Sequence, residues 1–413
     1  MNILHINTDD GPGGAGRAAL RLHISLRQLG EKSRMIVRTK NGQDQDVLPF
    51  PRARSLNRGL EYILKRYYRY GSLHYLYYPS MALLFRHPWF LEADAINMHN
   101  IHGNYFAYPV LPNLTREKTV IWTLHDMWSF TGHCSNSYTC QRWQSGCGHC
   151  PNLDIYPKIR YDTTRLQWQM KSYVYKHSQI HLVVPSRWLS SLVLKSPLFT
   201  KFPVQCIPNS VDTDVFKPID KKAARQSLGL PEDRHILLFV AAKLNDKNKG
   251  GDLLVDALQM LASEKEPLNI AVATIGMGGE MWTEKIPFPT YSFGTVNSES
   301  TIASIYSASD LMVLPTRMDN LPNSLVESIA CGTPCISFDV GGVSEIVRPF
   351  ETGYLAQAES SSDLAQGIHK FLTNDDLRFK CQLKCRAVAV QEYSSSIQAK
   401  RYLDLYHSVV KTN

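Results

Sequence analysis

The sequence predicts an α/β protein of two doubly wound parallel-sheet domains. Three observations predict it. Short apolar runs alternate with stretches of helical periodicity from end to end. The alternation restarts after about residue 205. A Pro-, Asp- and Asn-rich stretch, IPNSVDTDVFKPIDKK, marks the restart. The chain has 413 residues, 44% of them hydrophobic, enough for two buried cores. Its 20% charged and 10% aromatic residues are a globular rather than a disordered composition.

The elements follow in order. MNILHIN reads as a strand, then comes a glycine-rich turn. GRAALRLHISLRQLG is apolar at helical spacing and closes at Gly30. KSRMIVRT, AINMHN, TVIWTLHD and IHLVVPS read as further strands. In the second half HILLFVAAK is a strand, GGDLLVDALQMLAS a helix and LNIAVATIG a strand. TIASIYSAS is a helix, DLMVLPT a strand, LPNSLVESIACG a helix and TPCISFD a strand. The predicted domains are residues 1–204 and 205–394, with a last helix at about 395–413 returning to the first.

MNILHIN lacks the basic start and long apolar run of a signal peptide, and no run of about 18 apolar residues occurs. The expectation is a cytoplasmic protein. The net charge of +8 favours anionic partners: nucleic acid, phosphorylated substrates or an acidic membrane face. Residues 51–90 interleave Arg, Lys, Tyr and Leu. One reading is an amphipathic surface peripheral to the inner face of the membrane. The other is a helical insertion whose tyrosines pack on their own domain.

Two segments carry the chemistry. Gly11-Pro-Gly13-Gly14-Ala-Gly16 lies between a strand and a helix, where glycines let the backbone approach a phosphate or sugar. An NAD(P) enzyme would need an acid at the end of the second strand. That place reads Ile36-Val37-Arg38-Thr39, where only Arg38 could serve, through a 2′-phosphate. The second segment runs from Arg317 through Asp319, Pro322 and Asn323 to Glu327, after the strand DLMVLPT. Pro322 suits a first helical turn and Gly332 a stop. A helix start at a strand's carboxyl end is where open α/β sheets bind ligands, and its N–H groups favour a diphosphate. Asp319 and Glu327 could accept hydrogen bonds from hydroxyls at two ends of that ligand.

DNLPNSLVESIACGTPCISFDVGGVSEIV resembles the nucleotide-sugar signature of family-4 retaining glycosyltransferases of the GT-B fold: an acid, seven residues, a second acid, then Gly-Gly. PGGAGR, VVPSRW, IPNSVDTDVF and NKGGDLLVDAL are similar to the family's other segments. WTLHDMWSFTGHCSNSYTCQRWQSGCGHC is similar to a bacterial exopolysaccharide subset that includes colanic-acid-type transferases. The resemblance implies two Rossmann-like domains facing a cleft. It implies a UDP- or GDP-sugar donor and a glycan or lipid-linked acceptor. By its residues, Glu327 would bind the ribose and Asp319 the donor sugar, and Lys249 would neutralise the diphosphate. Gly13 and Gly14 would approach the phosphates. Asn323, at the helix start, and the Gly341-Gly342 turn would line the donor pocket, and His125 would face the sugar. Two departures stand out. The first acid is Asp319-Asn320-Leu321 where the family has Glu-Gly-Phe. The arginine ahead of the lysine is absent, leaving Lys243 and Lys247 as substitutes.

No cofactor is expected for catalysis, and no residue is an obvious covalent nucleophile. Asp212-Thr-Asp214 matches a metal-binding Asp-x-Asp literally, but as two short acids in a linker it reads as a turn cap. Cys134, Cys140, Cys147 and Cys150, with His133 and His149 beside them, could give a tetrahedral structural zinc site; buried thiols or a disulfide are the alternatives. His99 and His102 could contact acceptor or donor. The competing functions are an NAD(P)-dependent oxidoreductase and a basic zinc-containing nucleic-acid-binding protein. The paired α/β domains and acidic pair favour the transferase, with no nucleic-acid partner.

Overall fold

The computed structural model describes residues 1–11, 13–51, 55–76, 78–279, 282 and 284–410, with backbone alone at 55–58, 60, 65 and 69. Pro12 of the glycine turn, residues 52–54 and Tyr77 of the insertion, and residues 411–413 of the predicted last helix lie outside them. The chain divides into two compact units. One is Met1–Pro208 with Gln398–Asn413; the other is Asn209–Ile397. The division falls after 208 rather than 204 because Val204–Cys206 still pairs into the first sheet.

The first unit holds seven parallel strands: β1 Asn2–Asp9, β2 Lys32–Thr39, β3 Val47–Pro49, β4 Ala95–Met98, β5 Thr119–Thr123, β6 His181–Val184 and β7 Val204–Cys206. Their order is β3-β2-β1-β4-β5-β6-β7. The register sets Ile6 beside Ile36 and Met98, so β1 runs through the middle of the core. Helix Gly14–Gln28 covers one face with Ala18, Ala19, Leu22 and Leu26. The helix Ser395–Val409 gives this unit its residues from Gln398 on. Asn97 donates to the buried Tyr406 hydroxyl at 2.8 Å, and Thr123 and Tyr402 share a bond of 3.0 Å.

The second unit holds six parallel strands: β8 His235–Lys243, β9 Ile270–Met277, β10 Thr290–Ser292, β11 Leu311–Leu314, β12 Cys335–Phe338 and β13 Gly353–Ala356. Their order is β10-β9-β8-β11-β12-β13. Both sheets reverse direction of winding beside their first strand, between β1 and β4 and between β8 and β11. Ligands bind at such switch points, outside the carboxyl ends of the strands.

Residues 51–90 divide by exposure. In helix Ser55–Tyr70 the rings of Tyr62, Tyr67 and Tyr70 and the side chain of Ile63 are exposed, whereas Tyr75, Tyr78, Met81 and Leu84 join the core. Among the described residues no helix is long and apolar enough to cross a membrane.

Candidate functional site

In the second unit the loops after β8 and β11 meet. β8 ends at Lys243, and a short turn, Lys247–Lys249, leads to Gly250. Gly250 has φ +69, and a Cβ there would stand 1.8 Å from the Pro315 carbonyl oxygen. Glycine is what lets this loop lie against the one after β11. Asn248 stitches the two together: its carbonyl accepts from Arg317 N–H at 2.8 Å and its amide donates to Met318 O at 2.7 Å.

The result is a contact of 2.5 Å between Lys249 Nζ and Asp319 Oδ2, each side chain about a quarter exposed (27% and 21%). Lys249, rather than Lys243 or Lys247, reaches Asp319; the other two are exposed on the same loop. Gly341, with φ +58, backs Asp319 from behind. A Cβ there would lie 1.9 Å from the Asp319 carbonyl, which accepts from Gly342 N–H at 3.1 Å.

Helix Asn323–Ala330 follows at once. Pro322 is its N-cap, not a residue of its first turn: ψ of 115° keeps it extended, so the helix begins at Asn323 and has eight residues. Asn323 accepts from Asn209 at 3.1 Å. Glu327 is buried, not solvated, and accepts from the Tyr306 hydroxyl at 3.3 Å. Gly332, with φ +76, ends the helix. The loop pair and the helix after it thus bring together a lysine, a carboxylate about a quarter exposed, a helix N-terminus and a buried carboxylate.

In the first unit the glycine turn follows β1. Helix Gly14–Gln28 starts from Gly13 with no capping side chain and no acid in its first turn. Asp9 underlies the turn, accepting from Gly11 N–H at 3.1 Å. A Cβ on Gly16 would lie 2.1 Å from Asp9 Oδ1, whereas one on Gly14 would meet nothing within 4 Å. Arg38 is exposed and its guanidinium donates to Gly103 O at 2.6 Å.

Past β5, His125 is half-buried and its Nε2 lies 3.1 Å from His99 Nδ1. Burial pushes His125 down to about 4, against the opposing pull of Asp126. His102 Nε2 pairs with Asp126 at 2.9 Å and its ring packs on Trp128. Burial raises the Asp126 carboxyl, but His102 and the Trp128 N–H outweigh it and leave it below the usual value.

Cys134, Cys140, Cys147 and Cys150 are all free, and together with His133 they line one small cavity. Burial pushes the Cys134 thiol up to about 12 and Cys147 to about 11. Gly132 N–H donates to Cys147 Sγ at 3.2 Å. Among the described residues no three His, Cys, Asp or Glu side chains stand in an arrangement that holds a metal ion. Asp212 caps its own turn, accepting from Asp214 N–H at 2.9 Å.

Three contacts around these residues had no part in the sequence reading. Arg317 grips Asp252 with bonds of 3.0 and 2.7 Å; Tyr306 holds Glu327; Asp9 seats the glycine turn. Tyr306 and Glu327 are 21 positions apart and Arg317 and Asp252 65, so no local spacing signals either pair. Asp9, two residues before Gly11, was the one within reach of a local reading.

Comparison with known proteins places the chain by family and fold. Residues 12–215 match the family described as Glycosyltransferase Family 4, and residues 220–386 match Glycosyl transferases group 1. A relative in Escherichia coli (strain K12), named as a putative colanic acid biosynthesis glycosyl transferase, WcaC, is 24% identical over 84% of this chain and 85% of its own. The N-acetyl-alpha-D-glucosaminyl L-malate synthase of Bacillus anthracis is 22% identical over 50% of this chain and 54% of its own. Among solved structures, Anabaena Alr3699/HepE in complex with UDP-glucose aligns with a TM-score of 0.69 at 15% identity, covering 98% of this chain and 99% of that one. The lipopolysaccharide-biosynthesis glycosyltransferase WaaG aligns at 0.66 and 16%, covering 99% and 100%. Family 4 in the first half and group 1 in the second, on a GT-B fold, leave no place for the oxidoreductase reading: the chain belongs to the group 1/family 4 glycosyltransferases and is an enzyme of that class.

Proposed function

We propose that this enzyme moves a sugar, with retention, from a nucleoside-diphosphate sugar to a glycan or lipid-linked acceptor in bacterial surface or exopolysaccharide synthesis. The observation that carries the donor end is Lys249 and Asp319 together at the β8/β11 switch point, ahead of a helix that buries Glu327. Cleaving a sugar–phosphate bond leaves negative charge on the diphosphate. Lys249 and the helix start offer fixed positive charge where it develops, one such group being worth about 3–4 kcal/mol. Lys249 would then exchange Asp319 for the diphosphate, which releases the Asp319 carboxylate to a donor-sugar hydroxyl. Glu327 would take the ribose hydroxyls. Gly13 and Gly14 would admit the phosphates, and His125 would contact the sugar. The leaving phosphate would itself take the acceptor proton.

Names of similar proteins support the biology. HepE was solved with UDP, with UDP and glucose, and with UDP-glucose, which favours a UDP-sugar. The colanic acid and lipopolysaccharide relatives favour a cell-surface glycan. Tyr62, Ile63, Arg66, Tyr67 and Tyr70, exposed on helix Ser55–Tyr70, support peripheral contact with an anionic inner membrane face from the cytoplasm. The four-thiol cavity supports a structural zinc that draws the thiols in around itself, displacing their protons. Metal analysis of untagged protein decides it: about one zinc per chain, or none with the cluster's four thiols titratable.

The deciding experiment is a thermal-shift screen of nucleoside diphosphates and nucleotide sugars. A UDP-sugar that stabilises wild type and not Glu327→Ala is the expected result. Stabilisation of both alike, or of neither by any nucleotide, removes the donor assignment.

A further inference from the structure

The first unit holds a row of histidines of which the donor reading uses only His125. His5 sits in β1, His99 just past β4 and His125 just past β5. Because β1, β4 and β5 are adjacent, the three rings line up. His5 Nδ1 is 3.2 Å from His99 Nε2, and His99 Nδ1 is 3.1 Å from His125 Nε2. Ring centroids are 5.5 and 5.4 Å apart, with planes inclined by only 24° and 22°. His5 and His99 are 0% and 2% exposed.

Burial holds all three well below the usual histidine range, so they are neutral at pH 7. A neutral imidazole has one N–H and one lone pair. His99 uses both nitrogens, so it must donate on one side and accept on the other. The row has two proton orders. In one, His5 Nδ1–H donates to His99 and His99 Nδ1–H donates to His125 Nε2, which places the His125 proton on Nδ1. In the other every bond reverses and the last proton falls on His5 Nε2.

Two features select the first order. His5 Nε2 is buried without a hydrogen-bond partner among the described residues. An N–H stranded there would be a donor with no acceptor, the rarer defect in proteins. The first order also directs the positive end of the row toward Asp126, which lies beside His125 and is within hydrogen-bond distance of His102. At the opposite end the ring of His23 stands edge-on at 6.0 Å, and its surroundings, Arg27, Asp44 and Asp46, carry both signs.

We propose that His5 and His99 are positioning residues that fix the tautomer of His125, making it a neutral Nδ1–H imidazole whose Nε2 lone pair is already engaged. Its catalytic consequence rests on the reading of His125 as the residue at the sugar. There His125 acts as a hydrogen-bond donor to an oxygen and not as a base through Nε2.

The test is nitrogen-15 spectroscopy of the full chain labelled at histidine, with and without UDP. The expected wild-type pattern for His125 is a protonated Nδ1 and an unprotonated Nε2. His99→Leu should shift His125 toward the Nε2–H form. It should lower kcat about 10- to 100-fold, the scale of losing a group that orients a functional histidine, while donor KM stays within about twofold. His5→Leu, which keeps the His99–His125 bond, should give a smaller shift of the same sign. An Nε2–H form in wild type, or a His125 signal unmoved in both variants, overturns the proposal. A wild type that transfers no sugar yet shows the Nδ1–H form and its shift would sink the transferase role of His125 and leave the positioning intact.

Discussion

The Lys249–Asp319 contact leaves about a quarter of each side chain in solvent, so water screens most of its Coulomb energy. Such a pair contributes about 1 kcal/mol or less to folding. Lys249→Met should therefore move the urea midpoint little while weakening UDP binding at least tenfold. A loss of several kcal/mol with unchanged nucleotide affinity would mark the pair as structural. The glycines divide in the same way. Gly14→Ala meets no atom within 4 Å and should fold as wild type, so any loss of donor binding or turnover would report a ligand that needs that space. Gly341→Ala forces a Cβ against the Asp319 carbonyl at positive φ and should lower both stability and donor affinity. Thermal denaturation beside nucleotide titration separates the two variants. The placing of Asp319 ahead of a helix and of Glu327 within it was legible because that run of chain follows a strand and carries its own helix start, whereas Lys249 came from the resemblance. The histidine row was not, since His5, His99 and His125 come together only through the order of β1, β4 and β5.

Elements with enough length announced themselves. HILLFVAAK is β8 to the residue, and KSRMIVRT is β2. Unannounced were β3, β7, β10 and β13, all of three or four residues and all at sheet edges. Too short for a period, they form because the neighbouring strand offers a ladder, and Pro49 is tolerated at the end of β3 because that edge needs no further donor. The strand starts carry their own electrostatics. Asp310, just ahead of β11, accepts from the Ile236 N–H at 2.7 Å and pairs with Arg225 at 2.7 Å and Lys221 at 2.8 Å. Burial raises its carboxyl, yet the two cations and the N–H more than reverse this and leave it below the usual value. A depressed carboxyl adds stability above its unfolded value, about 3.9, and loses it as pH falls through the folded value. Asp310→Ala should cost about 3–5 kcal/mol at pH 7, because Arg225 is left buried and unpaired. Urea midpoints from about pH 7 down to pH 3 should show the gap to wild type narrowing only below about pH 4. A gap that is constant across that range would show that the carboxylate charge is not what holds this corner.

At the scale of the whole molecule the chain folds as two units, yet it finishes in the unit where it began. Residues from Gln398 on lay Ala399, Tyr402, Leu405 and Tyr406 over Ile3, Leu22, Ile121 and Val183. They also supply the hydroxyls that satisfy Asn97 and Thr123, two polar side chains buried in the first sheet. The second unit keeps its own sheet and cluster without them. Ending the chain after Ile397 therefore removes an apolar cover and leaves two buried polar groups short of a partner, at about 1–3 kcal/mol for each group before the apolar loss is added. The truncated protein should unfold in two steps in urea, the first-unit step earlier than in the full chain. A thermal shift with UDP, if the donor site lies in the second unit as proposed, should survive the truncation. Tyr406→Phe makes the gentler version: it keeps the ring and removes one hydroxyl, so only the early step should move, and by no more than the cost of one unpaired amide. A single cooperative transition in the truncated chain, shifted as a whole and with the UDP response lost, would mean that the two units share one stability and that the last helix serves both.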